Sequence, residues 1–246
     1  MNLSVLVFMY LLSYIADVFI GVNYKYEYTR KVFNNFISNA KIIPSFTVTV
    51  TDDMINFEKE LAPNFPPEYL ENIAVFRSIA NTLMREYNAI LFHSSAISYK
   101  NNGFLFTAKS GTGKSTHTKL LSEYNSDILY INDDKPFIRY IASDGCFYVY
   151  GSPWQGKHHR GANVKIPLKA ICLLNRGIEN KITKINSFEA LSEILTQTVK
   201  PTDELEVDAF MNIISLLTEN VDFYKLYCNM ESDAPKTSFN EMINKY

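Results

Sequence analysis

The sequence feature with the clearest chemistry is a glycine-rich loop, AKSGTGKS, which runs from Ala108 to Ser115. It lies between the apolar segment FLFTA and a helical pattern, which is the strand-to-helix context that a phosphate-binding loop requires. Glycines let several backbone N–H groups converge on one anion, and the start of a helix adds the positive end of its dipole. We therefore predict that nucleotide phosphates are bound by Ser110, Gly111, Thr112, Gly113, Lys114, Ser115 and Thr116.

Two residues of this loop have distinct expected roles. Lys114 would supply a mobile positive charge for the β- and γ-phosphates, and Ser115 would supply a hydroxyl ligand for Mg²⁺. One position departs from the general pattern, because Ala108 stands where the first glycine usually lies. Alanine is acceptable there if it closes the strand with an ordinary φ, so the loop still predicts binding of ATP or a related phosphate donor.

A pair of aspartates, Asp133 and Asp134, follows the apolar segment ILYI about 18 residues beyond Ser115. This interval fits a strand, loop, helix and second strand, which would place both carboxylates at the sheet edge that holds the phosphates. In phosphate-loop enzymes an aspartate at that position holds hydrated Mg²⁺. Close carboxylates also raise one of the two pKa values, so one residue can bind metal while the other accepts a proton. Which aspartate has which role stays open.

Two further features point to the same site. His93 lies on the strand pattern before the loop, where it could reach the metal and the aspartates, although a histidine satisfied within the strand is an equally good interpretation. The segment from Gly151 to Gly161 contains the only tryptophan, Trp154, and the sequence KHHR. Its glycines could act as hinges, and we predict that it closes over the phosphates while Lys157 neutralises charge.

The elements that must position these residues begin with an apolar run over residues 3–22. The part SYIADVFIGVNY, residues 13–24, is rich in β-branched and aromatic residues and predicts a buried strand, although Asp17 divides the run. No Lys or Arg precedes the run, so a signal peptide is not expected. Asp17 would be costly at membrane depth, so a buried strand is a better interpretation than a membrane anchor. Further patterns predict a helix over 28–39, a strand over 46–52, a loop over 53–67 and a helix over 68–87.

The remaining patterns mix strands and helices. Residues 89–99 and 103–108 predict two antiparallel strands, joined at a turn in which Asn102-Gly103 is a strong hairpin signal. Strands are also predicted over 127–132, 136–142, 146–152, 168–176 and 221–230, and helices over 187–220, interrupted at Lys200-Pro201, and over 235–246. The mixture predicts an α/β fold with a mixed sheet, in which an N-terminal strand–helix extension, residues 1–87, packs on a phosphate-loop domain, residues 88–246.

The composition limits the classes of function. The 24 basic and 26 acidic residues give a net charge of −2, without the basic excess typical of a dedicated nucleic-acid binder. Hydrophobic residues make up 47% of the chain, which is enough for a full core. The three cysteines lie far apart without a CxxC pair, so we expect reduced thiols rather than disulfides or a zinc site. We expect a cytoplasmic protein that binds neither nucleic acid nor a membrane.

Taken together, the segments HSSAISY, FLFTAKSGTGKSTHTKLL, YINDDKPFIR and YGSPWQGK resemble the HPr kinase/phosphorylase-like family, which shares its phosphate-loop fold with phosphoenolpyruvate carboxykinase. The resemblance covers about residues 86–176 and is closest to small bacterial proteins found beside peptide-modifying enzymes, including lasso-peptide kinases. It implies phosphorylation of a serine-type hydroxyl of a peptide, protein or small molecule with ATP and Mg²⁺. The longer partner-recognition signature of true HPr kinases is not found, and the formation of a homo-oligomer stays open.

The resemblance also implies roles for single residues. Lys114 and Ser115 match the phosphate-loop lysine and the metal-binding hydroxyl, and the two aspartates match a base and a metal ligand. His93 matches the histidine that supports the base, and Lys157 falls in the GTPW-x-GK loop of the family. The alternative is a non-catalytic nucleotide-binding accessory or regulatory protein of a peptide-biosynthesis cluster. Such a binder would not need the aspartates and the histidine together, so phosphate transfer distinguishes the two hypotheses.

Overall fold

A computed structural model describes residues 8–201, 204–229 and 231–246, so residues 3–7 of the apolar run lie outside the described part. The chain has a mixed α/β fold with two sheets, which confirms the predicted class. The first sheet, here called the N-terminal sheet, contains β1 (Met9–Ile15), β2 (Val18–Tyr24) and β3 (Phe46–Thr49). In it, β1 pairs antiparallel with β2, and β2 pairs parallel with β3.

The single strand predicted over residues 13–24 is wrong, because β1 and β2 form a hairpin. Ala16 and Asp17 make its turn with φ values of 53° and 62°. Two-residue hairpin turns of this kind usually contain Asn-Gly or Asp-Gly, so the sequence Ala-Asp did not predict a turn here. The Asp17 carboxylate accepts hydrogen bonds from the Tyr150 hydroxyl at 2.7 Å and pairs with Lys165 Nζ at 2.8 Å. The turn is therefore tied to the larger sheet.

Three helices accompany the N-terminal sheet: α1 (Glu27–Val32), α2 (Asp52–Leu61) and α3 (Pro67–Tyr87), with a short 3₁₀ helix at Asn34–Phe36. The loop predicted over 53–67 is wrong for most of its length. Thr51 Oγ1 accepts the Met54 N–H at 3.3 Å, and Asp52 and Asp53 in the first turn suit the positive helix end. These start signals outweigh the polar composition that favoured a loop.

The second sheet has nine strands: β4 (Ala89–Leu91), β5 (Ser95–Tyr99), β6 (Asn102–Thr107), β7 (Leu129–Asn132), β8 (Phe137–Ile141), β9 (Cys146–Tyr150), β10 (Lys165–Arg176), β11 (Lys181–Ile185) and β12 (Asp222–Cys228). Its helices are α4 (Lys114–Tyr124), α5 (Ser187–Gln197), α6 (Glu204–Asn220) and α7 (Ala234–Glu241), followed by a 3₁₀ helix at Ile243–Lys245. The long strand β10 pairs through its first residues with β9, and then with β6 and β12.

Strand direction decides which ends meet. β10 is parallel to both β6 and β12, and β5 is antiparallel to both β6 and β7. The carboxyl ends of β6, β7, β10 and β12 therefore lie at one edge of the sheet, together with the start of β5. This edge, here called the carboxyl edge, brings together the glycine-rich loop after β6, the two aspartates after β7 and the histidine before β5.

Two expectations for this region are corrected. Residues 89–99 form two strands rather than one, because β4 pairs with β8 whereas β5 pairs with β6, and the chain changes partner at Phe92–Ser94. The two-residue turn before β6 is Lys100-Asn101, with φ values of 48° and 61°, and Asn102-Gly103 already belongs to the strand. Strand β11 was not predicted, because KITKI is short and largely exposed at the sheet edge.

The N-terminal elements share a hydrophobic core with the larger sheet. Side chains of β1, β2 and α3 cluster with Leu91, Phe137, Tyr150 and Trp154, all of them buried. A domain boundary at residue 87 stays a prediction. No helix within the described ranges is both long enough and apolar enough to span a bilayer.

Candidate active site

The glycine-rich loop, residues 108–115 and here called the phosphate loop, leaves β6 and enters α4 as predicted. Gly111 and Gly113 have φ values of 75° and 124°, in the region that favours glycine. The first helical hydrogen bond runs from the His117 N–H to the Gly113 carbonyl at 2.9 Å. Apart from the Thr112 N–H, which donates to the Lys109 carbonyl, the N–H groups from Ser110 to Thr116 find no acceptor among the described residues.

Lys114 is folded back into this loop. Its Nζ donates to the Ala108 carbonyl at 3.0 Å, and the side chain is only 9% exposed. Burial lowers the pKa of Lys114, while the negative charges of Asp134 and Glu193 act in the opposite direction. Ala108 does not have a positive φ, so the departure from glycine is accommodated. The loop thus combines unpaired N–H groups with a buried cation, and an anion would satisfy both.

The two aspartates begin a tight segment, Asp133–Lys135, here called the aspartate turn. The fully buried Asn132 shapes it, because its Oδ1 accepts the N–H groups of Asp134 at 2.8 Å and Lys135 at 2.7 Å. Its Nδ2 donates to the Ser152 carbonyl at 3.2 Å. One amide side chain therefore joins the end of β7, the aspartates and the segment that follows β9.

The two carboxylates have different surroundings. Asp133 is buried, and its Oδ1 accepts the Gly156 N–H at 2.7 Å. Asp134 Oδ1 lies 3.3 Å from His93 Nε2, and its Oδ2 lies 2.5 Å from Lys135 Nζ. Burial alone would raise the pKa of Asp134, but the hydrogen bond from His93 and the positive charge of Lys135 outweigh it and hold the value at about 2. The sequence predicts that one of two close carboxylates has a raised pKa, but the pKa of Asp134 is lowered.

His93 occupies the break between β4 and β5. Its N–H donates to the Gln197 carbonyl at the end of α5 at 2.8 Å, and its carbonyl accepts from Thr107 Oγ1 at 2.8 Å. Thr107 is the last residue of β6, so the histidine backbone is fixed beside the root of the phosphate loop. The imidazole is about one third exposed and contacts Asp134, as the sequence suggested when it placed the two residues in one cluster.

The segment Gly151–Gly161 is anchored at several points. Trp154 is buried, its ring packs edge-on against Phe76 with centroids 4.7 Å apart, and its Nε1 donates to Asn72 Oδ1 at 3.1 Å. The Ala162 N–H donates to the Ile131 carbonyl at 3.1 Å. A Cβ on Gly151 would lie 1.8 Å from the Ala162 carbonyl oxygen, so this close approach requires glycine.

The exposed part of this segment is short. Lys157, His158 and His159 are exposed, whereas Arg160 stacks on the Tyr130 ring and donates to its hydroxyl at 3.0 Å. The closure predicted for the whole segment would therefore be confined to these three residues. A role for Lys157 at the phosphates stays a prediction.

The donor set at the carboxyl edge fits Mg²⁺ bound together with a nucleotide. The exposed hydroxyl of Ser115 and the carboxylates of Asp133 and Asp134 are hard oxygen ligands. Within the described residues, no three His, Cys, Asp or Glu side chains form a cluster that could hold a metal by themselves. Phosphate oxygens would have to complete the coordination, which is the usual mode for Mg²⁺ in phosphoryl-transfer sites.

Sequence reasoning missed three residues that support the site. Asn132 and Lys135 flank the aspartates, and Arg176 at the end of β10 donates from Nη2 to the Gly111 carbonyl at 2.7 Å. A cavity of about 420 Å³ opens beside the phosphate loop, and its lining includes Lys109, Thr112 and Arg176. The parallel pairing of β10 with β6 brings Arg176 there, and no local pattern encodes that pairing.

Comparison with known proteins yields a distant structural similarity. No family model and no curated protein matches the sequence. Among solved structures, the chain is similar to the Hpr(Ser) kinase/phosphatase from Coxiella burnetii, with 8% sequence identity and a TM-score of 0.34. The match covers 63% of this chain and 97% of that chain. A similarity at this level assigns neither fold nor activity, so function has to be inferred from the site itself.

Proposed function

We propose that this chain is a phosphotransferase that moves the γ-phosphoryl group of ATP, or of a related donor, to a serine-type hydroxyl. The observation that carries the proposal is the meeting of the phosphate loop, the aspartate turn and His93 at one edge of the sheet. The membership in the HPr kinase/phosphorylase-like family, and the closeness to kinases of peptide clusters, are part of the proposal. They rest on the sequence motifs and not on the distant structural similarity.

The phosphate loop would hold the donor. The N–H groups of Ser110 to Thr116, other than the paired N–H of Thr112, would donate to the β-phosphate, and the dipole of α4 would add to their effect. Lys114 would release the Ala108 carbonyl and bind a phosphate oxygen instead. Its buried positive charge would then have an anionic partner. Arg176 would keep the loop in shape through its bond with the Gly111 carbonyl.

The aspartate turn would act on the acceptor. Asp134 is ionised and faces a cavity, so it would accept the proton of the acceptor hydroxyl. As this proton leaves, the acceptor oxygen would bond to the γ-phosphorus, and the bond from that phosphorus to the β,γ-bridging oxygen would break. His93 orients the Asp134 carboxylate. A pKa of about 2 makes Asp134 a weak base, which suits a loose transition state in which positioning dominates.

Mg²⁺ would be held by Ser115 and one aspartate, and it would neutralise charge on the donor phosphates. Asp133 is the better candidate for that aspartate, because the carboxylate of Asp134 is already engaged with both His93 and Lys135. The Gly156 N–H would keep Asp133 oriented toward the edge. Asp133→Asn is therefore expected to weaken Mg²⁺ dependence of nucleotide binding, and Asp134→Asn to reduce turnover with the nucleotide still bound.

The test combines calorimetric binding of MgATP with the formation of ADP in wild type, Lys114→Ala and Lys119→Ala. Lys119 is the matched control, because it lies on the same helix but pairs with Glu123 at the surface. A charge-assisted contact to phosphate implies that Lys114→Ala weakens binding about 10–100-fold. Equal binding by Lys114→Ala and wild type would refute the donor site. Tight binding without transfer to any hydroxyl would instead favour the non-catalytic accessory protein.

A further inference from the structure

A cavity of about 640 Å³ opens beside the aspartate turn, and we call it the acceptor cavity. One wall comes from α1, the 3₁₀ helix after it and α3, and the other from Pro153–Gln155 and His159. Asp134 and Lys135 also line it, so the cavity reaches the proposed base. Its volume lies within the range of about 300–1,000 Å³ that is usual for sites of small ligands. The cavity lies between the N-terminal helices and the carboxyl edge of the larger sheet.

The charged groups of the acceptor cavity are mostly basic. Lys31 and Lys135 line it, with His159 on the opposite wall, and Asp134 is the one carboxylate among the described lining residues. The charge of Asp134 is already matched by its contacts with His93 and Lys135. The wall near Lys31 has no such carboxylate partner in the described lining. A cavity with an excess of one charge attracts ligands of the opposite charge.

The wall also offers an oriented donor. Trp154 Nε1 donates to Asn72 Oδ1 at 3.1 Å, which fixes the orientation of that amide. Asn72 Nδ2 is buried and has no hydrogen-bond partner within the described part of the chain. Unsatisfied buried donors are rare in native proteins, and each one calls for an explanation. A small adjustment of this cavity wall around a ligand with acceptor oxygens would satisfy Asn72.

The remaining surface is aromatic and amide-rich. Tyr28, Tyr69 and Phe76 supply flat apolar faces, and Asn34 and Asn35 add hydrogen-bonding groups. Tyr69 is held by stacking on Phe65, with ring centroids 4.7 Å apart. Ligand sites usually combine apolar walls with a few placed polar groups in this way.

We propose that the acceptor cavity binds the phosphoryl acceptor, and that this acceptor is a hydroxyl compound with a negatively charged group close to the hydroxyl. The inference rests on the proposed function and adds the class of its substrate. The hydroxyl points to Asp134, and the anionic group lies against Lys31 and His159. The same chemistry is offered by a free hydroxy acid and by a serine between acidic residues of a peptide.

The experiment measures ADP formation with MgATP and two pairs of probes, in wild type and two charge-reversal variants. One pair is D-glycerate against glycerol, and the other is a blocked Glu-Ser-Glu tripeptide against Lys-Ser-Lys. Lys31→Glu removes the proposed anion contact, and Lys41→Glu is the control, because Lys41 is exposed and does not line the cavity. MgATP affinity is measured for every variant.

We expect the anionic member of at least one pair to raise ADP formation about tenfold above the rate with water, and its neutral or cationic partner to have little effect. Lys31→Glu should raise the KM for that acceptor about 10-fold or more at unchanged MgATP affinity, whereas Lys41→Glu should behave as wild type. The pair that responds identifies the source of the acceptor. Stimulation by glycerol or Lys-Ser-Lys alone, no stimulation by either anion, or an unchanged KM in Lys31→Glu would overturn the inference. Absence of MgATP binding in wild type would instead overturn the proposed function itself.

Discussion

His117 should make the protein less stable in mild acid. It lies in the first turns of α4, fully buried, with its Nε2 2.9 Å from Ser238 Oγ on α7. Burial lowers the pKa of His117 from 6.5 to about 4. Between these values the unfolded chain binds a proton that the folded chain does not, so stability is complete above about pH 6.5 and falls as the pH decreases toward 4.

The size of the effect follows from the difference between the two pKa values. One pKa unit corresponds to about 1.4 kcal/mol, so the limiting loss is about 3 kcal/mol, of which about 2 kcal/mol is lost by pH 5. Urea unfolding followed by circular dichroism at about pH 7.5 and pH 5 measures it, with the ordinary carboxyl groups still largely ionised at both values. His117→Gln should remove most of this pH difference.

His158→Gln is the control, because that imidazole is exposed. It should keep the pH difference of wild type. If His117→Gln loses as much stability between the two pH values as wild type does, the burial of a neutral His117 between α4 and α7 is not the cause, and the reasoning is refuted.

Three further outcomes are expected. Gly151→Ala should lower the free energy of unfolding by about 3 kcal/mol or more, because the Ala162 carbonyl must move. Gly145→Ala, with open space around it, should lower it by only about 1 kcal/mol through its left-handed φ, and equal losses in urea unfolding would contradict this. Arg176→Ala should raise the Kd for MgATP about 3–10-fold through the loosened phosphate loop, and a calorimetric Kd equal to wild type would exclude that role. Trp154 emission should change little when MgATP binds, because the ring packs against Phe76 away from solvent, and a large shift on titration would show that the anchored segment moves.

The parts of the fold that local signals encode were predictable. The phosphate loop, its helix α4 and the long helix α3 follow from glycine placement and hydrophobic periodicity. The hairpin at Ala16-Asp17 was not predictable, because its turn lacks the usual residues. Helix α2 was not predictable either, because its capping Thr51 lies among polar residues whose composition favours a loop. The break at His93 arises from a change of pairing partner between β4 and β5, which a continuous apolar pattern conceals.

The residues of the candidate site also fall into those that the sequence predicts and those that it does not. Sequence motifs named the residues that carry charge, but not those that hold them. Arg176 contacts the Gly111 carbonyl, 65 residues away in the chain, and only the pairing of β10 with β6 brings the two together. Asn132 and Lys135 contact their sequence neighbour Asp134, but short polar residues beside an aspartate occur equally in ordinary turns and do not indicate a site. The acceptor cavity could not be predicted from the sequence either, because its walls come from segments about 100 residues apart in the chain. The sequence predicts that Trp154 belongs to a segment that closes over the phosphates, whereas in the structure Trp154 joins the two walls of the cavity through Asn72.

The most direct test of the central claim is whether phosphates bind to the N–H groups of the phosphate loop. The chain has only 9 glycines, so selective ¹⁵N-glycine labelling gives a simple NMR spectrum in which Gly111 and Gly113 report on the loop and Gly145 in the β8–β9 turn is the control. We predict saturable shifts of the Gly111 and Gly113 amide signals with MgATP and with pyrophosphate, none with adenosine, and no change at Gly145. Unchanged Gly111 and Gly113 signals at saturating MgATP, or equal shifts with adenosine, would contradict the account.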